Sequence, residues 1–335
     1  MRCGFRALAL ILATALAGGC GLPGDDDIVV YTSRADHLIK PVFDAWEEKT
    51  GTRVRFITDQ DGALISRLEA EGANSPADLL ITVDAGNLWN AKERGLLQPV
   101  DSQVLREAVP SHLRDPDDHW FGLTVRARTM VYSPERVDPE TLSTYAALAE
   151  PEWKDRLCLR TSRKVYNRSL VATMLERKGE EATTEVVEGW VNNLATDVFS
   201  NDTAVMEAIA AGQCDVGIVN TYYYGRLLRD KPDIPVELFW ANQGDSGVHL
   251  NISGAAVTAH SPREEKAREL LEWMAGPEAQ EILAELNLEY PVNETVEPHP
   301  IVQQWGDFQG DDLNVSVAGR RQVEAVKLMD RAGYR

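Results

Sequence analysis

Short apolar runs alternate with helix-period segments from residue 28 onward, and this alternation constrains the fold more than any other feature of the chain. IVVY (28–31) reads as a strand. In the DHLIKPVFDAWEEKTG that follows, Leu38, Ile39, Val42, Phe43 and Trp46 recur at helical spacing, and Gly51 ends the helix. TRVRFIT (52–58), GALISRLEAEG, DLLIT (78–82) and AGNLWNAKERG continue as strand, helix, strand, helix. Alternating elements with short joints mark an α/β sheet with crossover helices. A second unit follows the same plan: LCLRTS (157–162), NRSLVATMLERKG, TEVVEGWVNNLA, NDTAVMEAIAAG, CDVGIVN (214–220) and YGRLLRD. Asp202 or Thr203 is the expected N-cap of the helix before CDVGIVN, and Gly212 its stop.

Two segments break this rhythm. FGLTVRARTMVYS (121–133) and GVHLNISGAAVTAHS (247–261) exceed the usual strand length of about 5–6 residues. A strand that long can start in one lobe and finish in another. The pair therefore predicts a two-lobed α/β molecule, each lobe a mixed, mainly parallel sheet flanked by helices, joined by two hinge strands. The expected first lobe comprises 28–124 and 253–300, and the second 125–252 and 301–335. EEKARELLEWMAG and PEAQEILAELN would return to the first lobe. The closing NVSVAGRRQVEAVKLMDRAGYR reads as an amphipathic helix on the second. A chain of 335 residues is long enough for two cores.

The first twenty residues stand apart. A basic MRCGFR, an apolar ALALILATALA too short to span a bilayer, and GGC form a secretory signal. Leu16-Ala17-Gly18-Gly19-Cys20 follows the bacterial lipobox pattern, with Ala17 where Leu is usual, which makes Cys20 the expected lipidation site. Cleavage at an A-x-A-like site is the alternative. GLPGDDD (21–27) reads as a hydrophilic tether. Export to the periplasm or the outer side of the membrane changes the reading of Cys158 and Cys214. In an oxidising compartment this pair is expected to form a disulfide, with two buried thiols as the alternative. The formal charge of −19 argues against nucleic acid, which needs clustered Lys and Arg. HExxH, GxSxG, GxxxxGK[ST] and paired CxxC motifs are all absent, so the expectation is a binding protein and not an enzyme.

VNTYYYGRL (219–227) places Tyr222, Tyr223 and Tyr224 side by side between a strand and a helix. Such a triplet can be core, a stacking platform or a ligand set. Successive helical positions differ by about 100°, so all three cannot face one core. Tyr222 and Tyr223 can converge at the mouth of a cleft while Tyr224 turns away and packs. Phenol loses its proton only near pH ~10, but a hard trivalent cation stabilises the oxyanion. Ferric iron suits such donors, and tyrosinate is a known ligand in haem proteins. Tyr166, in KVYNRSLV, sits at the equivalent strand-to-helix turn of the same unit, where α/β sheets place their ligands. On the residues alone, an aromatic cage for a small organic anion or polyamine stays open beside the iron reading.

The chain resembles the ferric-iron-binding proteins of bacterial ABC importers, in the periplasmic-binding-protein superfamily. The resemblance is carried by VVYTSRADHLIKPVFDAWEEKTG, SPADLLITVDAGNLWNA, FGLTVRART, VYNRSLVA, NDTAVMEAIAAGQCDVGIVNTYYYGRL and NISGAAVT. It implies a type II binding-protein fold, a monomer that hands ferric iron to a permease in the inner membrane, and Tyr166, Tyr222 and Tyr223 as ligands. In some relatives a His or His-Tyr after the YxSR element completes the iron shell. Here Ala35 and Asp36 stand there, with His37 one step on, and Val83 stands where others carry an acidic ligand. The first lobe is thus expected to supply no histidine ligand. Carbonate, bicarbonate or water would fill the remaining positions, held by Arg34 and Arg126, whose guanidinium forks suit a planar oxyanion. For Arg34 a structural ion pair is the alternative. Asp36 is expected to cap its helix, and His249 and Asn251 to serve structural hydrogen bonds.

Overall fold

The computed structural model describes residues 26–335. The signal segment, Cys20 and most of the tether lie outside the described residues. The first unit runs β1 (Ile28–Thr32), α1 (Asp36–Thr50), β2 (Val54–Thr58), α2 (Asp61–Glu71), β3 (Leu79–Thr82), α3 (Ala85–Glu93) and α4 (Gln103–Ala108). In α1 the buried side chains are Ile39, Val42, Phe43 and Trp46, one stripe at spacings of three and four. The helix stops at Gly51, whose φ of 73° is the left-handed conformation that glycine adopts freely.

β4 (Phe121–Tyr132) then crosses to the second unit. There follow β5 (Leu157–Cys158), α5 (Val165–Asn192), α6 (Asp202–Ala210), β6 (Val216–Asn220), α7 (Thr221–Asp230), β7 (Glu237–Phe239) and the return strand β8 (His249–Val257). The chain closes with α8 (Glu264–Ala275), α9 (Pro277–Asn287), β9 (Tyr290–Pro291), α10 (Pro300–Gln303), α11 (Val317–Arg320) and α12 (Gln322–Arg331). Among the described residues no helix is long and apolar enough to cross a membrane.

The strand order is β2-β1-β3-β8-β4-β6-β5. β1 pairs parallel with β2 on one side and β3 on the other, so the winding reverses beside β1. That reversal opens a crevice beyond the carboxyl ends of β1 and β3. β4 and β8 pair antiparallel from Phe121↔Ala255 to Arg128↔His249. The two sheets are therefore not separate: one ladder runs through both lobes, because the hinge strands bond to each other over most of their length. Burial nonetheless divides. One core takes β4 through Val125 together with β1–β3, α1, α8 and α9. The next begins at Ala127 and packs against α5 and α12.

Three local expectations change. LCLRTS is strand only at Leu157–Cys158; Arg160 makes an isolated parallel bridge with Phe199, and its carbonyl accepts from Asn167 and Tyr334. The N-cap of α6 is Asn201, whose Oδ1 accepts from Ala204 N–H at 2.8 Å. The closing helix splits into α11 and α12, and its lead-in reaches the first lobe: Val315 N–H bonds His112 O, and Val315 joins the first core. α11 lies against both α3 and α5. Gly319 makes this close approach possible, since a Cβ there would stand 2.7 Å from Trp89.

Cys158 and Cys214 form the expected disulfide, with Cα atoms 5.9 Å apart. It joins β5 to the residues entering β6, beside the Cys158↔Gly217 pair. The bridge closes a loop spanning 56 positions. Replacing both cysteines by serine is expected to lower the unfolding free energy by about 4 kcal/mol, from loop-closure entropy. Urea denaturation of oxidised protein and double variant measures the difference.

Candidate metal centre

Tyr222 and Tyr223 occupy the first turn of α7, directly after the fully buried β6. Their rings lie 4.4 Å apart, centroid to centroid. Tyr224 turns away: its ring packs 5.7 Å from Trp305 and its hydroxyl donates to Val236 O. Tyr166 is the second residue of α5. Tyr166, Tyr222 and Tyr223 line one cleft of about 200 Å³. Its opposite wall is Ser33, Arg34, Ala35 and Val83, from the carboxyl ends of β1 and β3. The tyrosines thus face the crevice that the strand order creates.

One buried cation holds the tyrosine-bearing segments together. Arg128, on β4, donates from Nε to Asn167 Oδ1 at 2.8 Å and from Nη1 to Asp202 Oδ2 at 3.1 Å. The same Nη1 reaches Asn220 Oδ1 at 3.0 Å, and Nη2 reaches Ile218 O at 3.1 Å. Asp202 also accepts from Asn220 N–H at 2.9 Å. These bonds tie the start of α5, the start of α6 and the end of β6 to one point. Tyr166 precedes Asn167 by one residue, and Tyr222 follows Asn220 by two.

Guanidinium groups surround the phenols. Arg160 stands 5.2 Å from the Tyr166 ring centre and 5.6 Å from that of Tyr223. Arg226 lies 4.9 Å and Arg126 5.7 Å from the Tyr222 ring. Burial, followed by the neighbouring phenols, pushes Tyr222 well above the ordinary tyrosine value, and Arg126 opposes the shift. Burial and then Tyr223 also raise Tyr166, against Arg126 and Arg160. Tyr222 and Tyr166 are therefore reluctant to ionise.

Arg34 and Arg126 sit on the cleft floor, and both bind Glu289, a residue that the sequence reading passed over. Arg34 Nη2 reaches Glu289 Oε2 at 2.7 Å, and Arg126 Nε reaches Oε1 at 2.9 Å. Thr124 donates to the same carboxylate at 2.7 Å. Arg34 also donates to Asn287 Oδ1, and Arg126 to Ile252 O. The ion pair weighed for Arg34 is present and extends to Arg126. Glu289 lies in the short joint between α9 and β9 with no motif around it, so only its place in the fold reveals it. Burial alone would raise its pKa, but Arg126 and Arg34 overcome that and hold it at about 2.

The remaining residues singled out in the sequence are placed differently from one another. Ala35 lines the cleft. Asp36 does not cap α1; Ala35 holds the N-cap position, and the Asp36 carboxylate accepts from the Thr58 hydroxyl. His37 is exposed on α1, outside the cleft lining. Asn251 donates to the Asp84 carboxylate at 2.6 Å and accepts from Ala85 N–H, a structural role. His249 contacts Thr173, and burial, then Arg128, lower its pKa to about 3. Among the described residues no group of three His, Cys, Asp or Glu side chains is placed to hold a metal.

Glu289→Gln keeps the shape and removes the charge that two buried guanidiniums share. Breaking a buried pair this way is expected to cost about 3–5 kcal/mol at neutral pH. A depressed carboxylate pKa contributes stability above the ordinary glutamate value and loses it as pH falls through about 2. The gap between wild type and variant in urea melts should therefore be full at pH ~7 and shrink on strong acidification.

The sequence matches the bacterial extracellular solute-binding protein family over residues 74–304. Iron uptake protein A2 of Synechocystis sp. is 44% identical, over 92% of this chain and 90% of the relative. Iron uptake protein A1 of the same organism is 38% identical, over 98% and 96%. The Trichodesmium protein solved in complex with iron and citrate ligands superposes with a TM-score of 0.89 at 42% identity, over 92% of this chain and all of that one. The apo Synechocystis FutA2 structure gives 0.88 at 42% identity, over 92% and 99%. With its two-lobed type II fold and its disulfide, the chain belongs to the bacterial extracellular solute-binding proteins, among the ferric-iron-binding periplasmic proteins of ABC transport.

Proposed function

We propose that this protein captures ferric iron in the interlobe cleft as a complex with the phenolates of Tyr166, Tyr222 and Tyr223, and delivers it to an ABC permease in the inner membrane. The observation that carries the reading is the convergence of three phenols from the second lobe on one small cleft ringed by Arg126, Arg160 and Arg226. Three phenolates neutralise one ferric ion. The uncompensated guanidinium charge around them then favours an additional anion, carbonate or bicarbonate, with water as the other filler. Arg126 and Arg34 would present it from the cleft floor, sharing their N–H groups between it and Glu289. Relatives named for iron uptake, and one solved with iron, support the cargo.

The segments 28–124 and 253–300 would close on 125–252 and 301–335 when the cargo bridges them. Closure needs a ligand that interacts better with the closed state, and a metal bound by one lobe with an anion gripped by the other supplies it. The protein works as a monomeric receptor without catalysis, held at the membrane through lipid on Cys20. Binding displaces protons from phenols that burial has made reluctant to ionise, so affinity falls as pH falls. Reduction to ferrous iron weakens the same bonds and aids release.

The test is spectroscopic. Iron-free protein titrated with ferric nitrilotriacetate should develop a visible phenolate-to-iron charge-transfer band. Tyr222→Phe with Tyr223→Phe should abolish it and the tight binding. Retained colour and affinity in that variant would overturn the assignment.

A further inference from the structure

The chain carries a surplus of nineteen negative charges, yet one concavity on the second lobe is lined by cations. It encloses about 500 Å³ between the segment entering α5 and the α12 end of the chain. Arg163 and Arg168 stand on one side, Lys327 and Arg335 on the other, and Asp330 is the one acidic side chain in its lining. Neighbouring cations on these helices are matched. Arg177 pairs with Asp311 and Asp312, Arg320 and Arg321 with Glu176, and Arg331 with Glu180. The four that line the concavity have no carboxylate within ion-pair distance among the described residues. Arg168 spends Nε on the Ser162 carbonyl at 3.1 Å, and its terminal nitrogens make no hydrogen bond there.

The local sequence deepens the imbalance. Lys164 occupies the N-cap of α5 without a capping side chain, and the first turn holds no acidic residue. Three cations, Arg163, Lys164 and Arg168, thus gather where the helix dipole favours negative charge. Natural sequences break such local rules chiefly at functional sites.

The geometry points to an anion site in this concavity, taking a small polycarboxylate of the class that keeps ferric iron soluble at neutral pH. Guanidinium forks receive carboxylates in pairs, and lysine adds a mobile point charge. Concave walls enclose a compact anion on several sides, which a flat protein surface could not exploit. The segment that supplies Arg163 and Arg168 also carries Tyr166, which lines the metal cleft. At about 1.5 Å rise per helical residue, a chelator held here lies within a turn or two of the cleft. The choice of a polycarboxylate rests on the iron reading above; the anion site does not.

Calorimetry on iron-free Tyr222→Phe/Tyr223→Phe protein removes iron uptake by the cleft, and comparison with Arg163→Gln/Lys327→Gln on that background separates citrate held in the concavity from citrate held by the cleft guanidiniums. Citrate is expected to bind saturably. Arg163→Gln with Lys327→Gln, both exposed and unpaired, should weaken it by about tenfold or more, as should raised ionic strength. No saturable heat at millimolar citrate, or equal affinity with and without the two glutamines, would overturn the proposal. A control keeps the two readings apart. With all tyrosines intact, Arg163→Gln/Lys327→Gln should still turn coloured with ferric nitrilotriacetate. A colourless wild type would instead sink the iron reading while leaving the citrate titration to decide the anion site.

Discussion

The arrangement of the second lobe depends on one buried guanidinium. Removing the Arg128 charge from water costs several kcal/mol unless its N–H groups are satisfied. Asn167, Asp202, Asn220 and Ile218 satisfy them, and three of these stand at the ends of elements that enter or flank the cleft. The same bonds that make the burial tolerable fix where α5, α6 and α7 begin. The tyrosines follow from that, because each sits one to three residues from an atom the arginine holds. A chain without Arg128 would keep its strands and lose the common reference point of its phenols.

β4 carries a second arginine two residues earlier. Side chains at i and i+2 share a face of a strand, so Arg126 and Arg128 project to the same side, one into each lobe's polar network. Arg126 joins Arg34 and Glu289 on the floor; Arg128 gathers the tyrosine turns. The cleft is thus cationic by construction in a chain that is acidic overall. Glu289 tempers the floor without neutralising it, since one carboxylate faces two guanidiniums. In the proposed iron complex, a trivalent ion would have to displace the phenol protons within this cationic setting.

Much of this was legible in the residues. The 3–4 stripe of α1 and the left-handed Gly51 follow from local pattern, and the cysteine pairing follows from export and an even count. The divergence of Tyr224 from its neighbours follows from helical rotation alone. What escaped depends on tertiary partners. Asp202 is a good cap by composition, but Arg128 and Asn220 recruit its carboxylate, which leaves Asn201 to cap α6. LCLRTS has strand composition, yet at its fourth residue the Arg160 carbonyl turns aside to Asn167 and Tyr334. Glu289 had no periodic or motif context, and its importance exists only because two distant arginines, on β4 and after β1, converge on it.

The pairing of β4 with β8, continuous from Thr124 to Arg128 across the change of core, has a mechanical consequence. Any rotation of one lobe against the other must be absorbed as torsion distributed along a two-stranded ribbon, since no flexible loop interrupts that ladder at the boundary between the cores. Such a ribbon behaves as a spring with its own resting twist. Arg126 lies on it where the cores change over, so winding or unwinding the ribbon swings that guanidinium relative to the tyrosines. A scaffold built this way would couple any such rotation directly to the electrostatics of the cleft.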